Sequence, residues 1–225
     1  MFKYILYYLK KFLILIRINN PTGIMLLMFP AIWSILIVSK EEIDIYLILL
    51  FIYGSFIMRS AGCIVNDIID KNFDKQVKRT KFRPLASENL DISDAIILLI
   101  IFLSIGLSIL LSLNSTCILL GFIALPLILL YPLMKRFTYF PQLFLAIVFN
   151  FSVLISWTAA KGAFDNQSLL LYLACIFWTL GYDTIYAYQD KEDDKKIGVK
   201  SLAIYLLIRS LSNLNFNLLI VFSSS

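Results

Sequence analysis

Six stretches of about twenty residues, over 21–39, 43–66, 92–113, 115–134, 141–161 and 167–189, are apolar enough to cross a lipid bilayer. A hydrocarbon core near 30 Å thick needs ~20 helical residues. Inside it every backbone N–H and C=O must find a partner within the protein, so runs of this length fold as helices. The runs recur along the whole chain, and 60% of its 225 residues are hydrophobic against 16% charged. A soluble domain of this length needs far more polar surface. The expected fold is therefore an all-α polytopic membrane protein, a helical bundle around a central cavity.

A seventh apolar stretch, 202–222, is poorer, because Arg209, Asn213, Asn215 and Asn217 interrupt it. Pro21 and Pro141 stand where helices begin, and the missing proline N–H costs least there. Pro30 and Pro126 fall inside helices and are expected to kink them. Sixteen of the twenty Lys and Arg fall on one side: in the amino-terminal segment, in 67–91, in 135–140 and in 190–200. Only Lys40 and Lys161 fall on the other, with Arg59 and Arg209 inside apolar runs. The positive-inside rule then puts the amino terminus and the charged loops in the cytoplasm, as in a bacterial inner membrane. No small-residue cleavage site follows the basic, apolar start, so no cleaved signal peptide is expected.

The chain has no histidine, which removes Ser-His and Cys-His nucleophilic sites and His-ligated zinc. Cys63, Cys117 and Cys175 lie far apart in apolar runs and read as small buried hydrophobes. The phenylalanines, tyrosines and Trp33, Trp157 and Trp178 read as membrane filling and interface belts.

What remains for chemistry is two acidic strings, each ending an apolar run. Asn66, Asp70 and Asp74 are four residues apart, and on a helix such steps drift only ~40° around the axis, so the three share a stripe. Asp183, Asp190 and Asp194 form a second stripe, with the same four-residue step at its end. Carboxylates where a membrane helix meets water call for a cation, and magnesium takes one or two carboxylates together with phosphate oxygens and water. Two such stripes facing each other suit magnesium and a diphosphate. Lys78, Arg79, Arg83, Lys135 and Arg136 lie on the same membrane side and can take up charge on a departing diphosphate. Arg59 lies ~10 Å deeper on the first stripe and asks for an anion in the cavity, such as the carboxylate of a small aromatic acid.

These residues sit in longer runs: Arg59-Ser60-Ala61-Gly62-Cys63-Ile64-Val65-Asn66-Asp67, then Asp70, Asp74 and Val77-Lys78-Arg79-Thr80, then Arg83-Pro84-Leu85-Ala86-Ser87. Others are Arg17 with Pro21 and Gly23, Tyr131-Pro132-Leu133-Met134-Lys135-Arg136-Phe137-Thr138, Pro141-Gln142, and Tyr182-Asp183 running on to Ser201. In these runs the chain resembles the UbiA-type membrane prenyltransferases, over about residues 17–201, and among them most nearly those acting on 4-hydroxybenzoate. The resemblance implies transfer of a polyprenyl group from polyprenyl diphosphate to the ring carbon ortho to the hydroxyl of 4-hydroxybenzoate, in ubiquinone biosynthesis, with Mg2+ as cofactor. It implies metal ligation by Asp70, Asp74, Asp190 and Asp194, and a reaction centre at Asp183 with Asn66 facing diphosphate and substrate. Arg59 is implied at the aromatic carboxylate, and Arg17, Lys135 and Arg136 on the diphosphate side. Asn66 as a helix cap is the competing reading.

The resemblance also implies a fold of nine helices, against six sound spans and one poor one here. Residues 1–201 are therefore expected to hold the first two thirds of that fold. Residues 202–225 are expected to be an atypical end, as a shifted frame or a truncated gene would leave. The competing functions are an inactive remnant, a prenyltransferase with another aromatic acceptor, and a cation-coupled transporter. The transporter is disfavoured because the acidic groups gather at one membrane face. Asp67, Asp91, Asp94, Glu192 and Asp193 are expected to be solvated charges. The expected partners are the two substrates and the lipid bilayer, with no nucleic acid and no obligate protein.

Overall fold

A computed structural model of the chain describes residues 2–39, 42–189 and 200–206, with side chains from residue 6 onward except that of Lys135. Asp190, Asp194, Glu192, Asp193 and most of the 202–225 segment lie outside the described residues. The described chain is helical: α1 (Phe2–Leu15), α2 (Thr22–Ser39), α3 (Ile45–Asp74), α4 (Ile92–Leu111), α5 (Ser115–Phe137), α6 (Pro141–Phe149), α7 (Phe151–Lys161) and α8 (Asn166–Ala187). Six helical segments are long and apolar enough to span a membrane, with α6 and α7 together making one of them. All six expected spans are present.

Two boundaries differ from the expected ones in ways that matter. Helix α3 does not stop near residue 66 but runs on to Asp74, so the first acidic stripe is built on continuous helix. The 141–161 span is divided at Asn150, which is fully buried. Its side-chain amide donates to the carbonyls of Ala146 (2.7 Å) and Cys175 (3.1 Å) and to Thr179 Oγ1 (2.9 Å), tying the break to α8. An amide in an apolar bundle must find partners, and three converge on this one. Helices α2 and α5 run through Pro30, Pro126 and Pro132, and Pro141 opens α6.

Packing follows a circuit. Helix α2 lies on α3 and α7, α3 on α4, α4 on α5, α5 on α6 and α7, and α8 on α6, α7 and α2. At the end of the bundle where α3 stops, Leu15, Ile16, Ile64, Leu85, Leu90 and Ala95 form a buried cluster backed by Phe12, Ile68 and Phe102. It draws together the end of α1, α3, the 75–91 loop and α4. The loop is a chain of turns with no strand or helix of its own. Burial of Leu85, Ala86 and Leu90 therefore fixes it over the end of α3.

Candidate active site

Two cavities stand out among the described residues of the bundle. The first, about 340 Å³, is almost wholly apolar, lined by residues of α2 to α7 that include Leu27, Met58, Leu110 and Phe149, with Arg59 as its charged group. The second, about 230 Å³, is polar and lies at the end of α3. Asn66, Asp70, Asp74, Arg79, Arg83 and Asp183 line it, with Gln142, Lys200 and Ser201. Tyr131 lines both.

The polar chamber gathers the expected acid residues of α3 and α8. Asp70 is fully buried and Asp74 is 7% exposed. A charge at such depth persists only where cations or hydrogen-bond donors meet it. Arg83 supplies both: its Nη1 donates to Asp74 Oδ2 at 2.7 Å and to Asp67 Oδ1 at 3.1 Å. Arg136 comes to 3.9 Å from Asp70 Oδ1, donates to the Ile69 carbonyl at 3.1 Å and lies over the Phe73 ring. Arg79 donates to the Tyr186 hydroxyl at 3.0 Å and lies over that ring.

Asp67 departs from its expected place. Expected to be a solvated charge, it is 2% exposed. It accepts from Arg83 and, at 2.6 Å, from Arg17 Nη2. Among the described residues, Arg17 is one of two non-glycine residues in the left-handed region, at φ 57°. Such a backbone is unfavourable for a residue with a Cβ and persists where surrounding contacts enforce it. Here the ion pair to Asp67 does so. Burial works most strongly against the Arg17 charge, but Asp67, through its charge and its hydrogen bond, acts with Cys63 and Tyr131 so that on balance the guanidinium pKa is raised.

Of the residues expected to bind substrate, Arg79 and Arg83 line the polar chamber and Arg59 lines the apolar one. Arg17 and Arg136 stand behind the carboxylates and are not among the chamber's lining residues. Lys78 is exposed and outside the lining. Arg59 lies 5.5 Å over the Phe149 ring, and among the described residues no carboxylate is within salt-bridge distance of it. An Arg59–Asp183 pair, one way of satisfying Arg59, is thus not formed.

Gln142 and Lys200 carry no role in the sequence reading. Gln142 is buried, and its Oε1 accepts from the Leu202 amide at 3.0 Å, docking the 200–206 segment on α6. Lys200 donates to the Phe137 carbonyl at 3.3 Å and lies over the Tyr139 ring. The place of both residues in the motif runs, Pro141-Gln142 and the run that ends at Ser201, is the sequence signal they carry.

Among the described residues no three His, Cys, Asp or Glu side chains gather to hold a metal ion by themselves. From α3 the chamber receives two carboxylates and an amide, Asp70, Asp74 and Asn66, with Asp183 of α8 lining it too. That suits magnesium, whose remaining positions go to phosphate oxygens and water.

The model of the UbiA prenyltransferase family matches residues 27–224. The mitochondrial 4-hydroxybenzoate polyprenyltransferase of Caenorhabditis elegans is 48% identical over 201 residues, covering 88% of this chain. The chain spans only 56% of that relative's length. The 4-hydroxybenzoate octaprenyltransferase of Pseudomonas aeruginosa (strain LESB58) is 39% identical over 216 residues, 93% of this chain and 73% of the relative. A UbiA homolog from Aeropyrum pernix K1, solved in its apo form, superposes with a TM-score of 0.70 at 28% identity, covering 82% of this chain and 70% of that one. A multi-pass helical bundle with these motif runs, this family match and this fold belongs to the UbiA prenyltransferase family.

Proposed function

We propose that the chain transfers a polyprenyl group from its diphosphate to the carbon ortho to the hydroxyl of 4-hydroxybenzoate, with magnesium, as a step of ubiquinone synthesis. The observation that carries this reading is the pair of cavities. A carboxylate-lined chamber and an apolar one with a single guanidinium are both bounded by Tyr131. The names of the C. elegans and P. aeruginosa relatives support the choice of acceptor.

Asp70, Asp74 and Asn66 would hold magnesium from α3, and Asp190 and Asp194 are proposed as its ligands from the other string. The ion, when bound, supplies positive charge to a departing diphosphate. Arg79, Arg83 and Lys200 line the same chamber and add to that charge. Arg17, Lys135 and Arg136 complete the diphosphate side. The allylic C–O bond breaks and its electron pair leaves with the diphosphate. The ring carbon of the acceptor bonds to the allylic carbon, and Asp183 or the diphosphate takes the displaced ring proton. The apolar chamber accommodates the prenyl chain and keeps water from the cation. Arg59 binds the acceptor carboxylate, which turns the phenol end toward Tyr131 and the polar chamber.

The Lys and Arg distribution supports a bacterial inner membrane with the amino terminus and the acidic end in the cytoplasm. The test is transfer of a labelled prenyl group to 4-hydroxybenzoate by membranes containing the chain. Transfer is expected with magnesium and not with a chelator, and is expected to vanish in Asp70→Ala and in Asp190→Ala. Transfer unchanged in both variants removes the metal assignment.

A further inference from the structure

Glycine is among the poorest helix formers, yet Gly23 stands in the first turn of α2. Its φ is not in the left-handed region, since the only positive-φ glycine among the described residues is Gly162, so the backbone does not require it. What requires it is space. A Cβ at Gly23 would lie 2.7 Å from Arg59 Nη2 and 2.9 Å from Cζ, and nearer still to Nε. A Cβ can stand there only if the guanidinium, the far end of a flexible side chain, shifts away. The guanidinium therefore rests directly on the α2 backbone, with the Phe149 ring on another side, 5.5 Å from ring centre to Cζ.

We infer that Gly23 is a positioning residue for Arg59: the missing side chain, together with Phe149, forms a seat that fixes where the acceptor's carboxylate binds. The inference rests on the proposed role of Arg59. Arg59 is long and flexible, so an alanine methyl at position 23 moves the guanidinium without breaking the helix. A carboxylate bound by a fork of N–H donors is sensitive to such a shift, because both hydrogen bonds depend on the fork's place and plane. The fold loses little, since alanine is the better helix former. Stability and acid binding should therefore separate.

Equilibrium binding of 4-hydroxybenzoate and of its uncharged isostere 4-hydroxybenzamide to the purified full chain tests this. Gly23→Ala is expected to keep the thermal midpoint and to weaken the acid at least ~10-fold, the scale of one charge-assisted hydrogen bond, while the amide changes less than about twofold. In an Arg59→Ala background, Gly23→Ala should have no further effect on the acid. A packing defect would instead weaken both ligands and persist in that background, and either result overturns the inference. Undiminished acid binding by Gly23→Ala overturns it too. Undiminished acid binding by Arg59→Ala removes the role of Arg59 itself, and the inference with it. Should Gly23→Ala fail to fold, Phe149→Leu is read in the same way: selective loss of the acid supports the seat, and unchanged binding contradicts it.

Discussion

Asp67 and Arg17 are fifty positions apart, and their contact holds the turn before α2 against the buried face of α3. Asp67 also bonds Arg83 from the loop after α3, so one carboxylate joins three segments at the rim of the polar chamber. Removing one member of a buried ion-pair network leaves the others uncompensated, which typically costs ~3–5 kcal/mol. Arg17 and Arg83 keep 26% and 18% of their side chains exposed, so water can take up part of the loss. Asp67→Asn is thus expected to destabilise the detergent-solubilised chain by about 3 kcal/mol. The matching observation is a clear fall in thermal midpoint; an unchanged midpoint would mean that Asp67 holds nothing. The sequence reading placed Asp67 in solvent because helical spacing sees only neighbours on the same helix. Arg17 arrives from elsewhere in the chain, and no local pattern announces it. Arg59 was different: a cation inside an apolar run stands out whatever its partners.

At the level of elements, hydropathy found the spans because each must be long and apolar to cross lipid, a requirement local to its own residues. Hydropathy alone ended the second span at residue 66, because Asp70 and Asp74 are not apolar, whereas α3 runs on to Asp74 and carries the four-residue step of Asn66, Asp70 and Asp74 as one helical stripe. The division at Asn150 was not legible, since its three acceptors include groups on α8 that only the packed bundle brings near. Helix α8, which carries Asp183 near its far end, begins with a capping box in which Asp165 accepts from the Ser168 amide at 3.0 Å. Asp165→Ala removes this cap and should speed hydrogen exchange in the first turn of α8 about fivefold. Exchange as slow as in the unaltered chain would show that packing alone holds that turn. The Lys161 hydrogen bond and the Ser168 amide hold the Asp165 carboxyl below its usual pKa. A group depressed in this way contributes its full stabilisation above the ordinary carboxyl range. The cap is therefore expected to be intact at neutral pH and lost only as pH falls through that lowered value.

For the whole molecule, the question is how a bundle of apolar helices keeps a carboxylate cluster dry enough to be selective and charged enough to bind. Its arrangement puts the acids where α3 and α8 end, faces them with Arg79, Arg83 and Arg136, and leaves the apolar chamber to the span interiors. The depth of Arg59 below Asn66 on one stripe was legible, but the expected single central cavity is divided into an apolar and a polar chamber that share Tyr131. The capture of Arg83 by Asp67 and Asp74 was not legible, because a loop cation's partner is decided by the loop's fold. Calorimetric titration of the purified chain with geranyl diphosphate measures directly whether Asp70 and its neighbours bind a prenyl diphosphate through magnesium. Binding is expected with magnesium, none with a chelator, and the magnesium-dependent part is expected to be lost in Asp70→Asn. Binding of equal strength with and without magnesium, or unchanged in Asp70→Asn, would contradict magnesium-mediated binding.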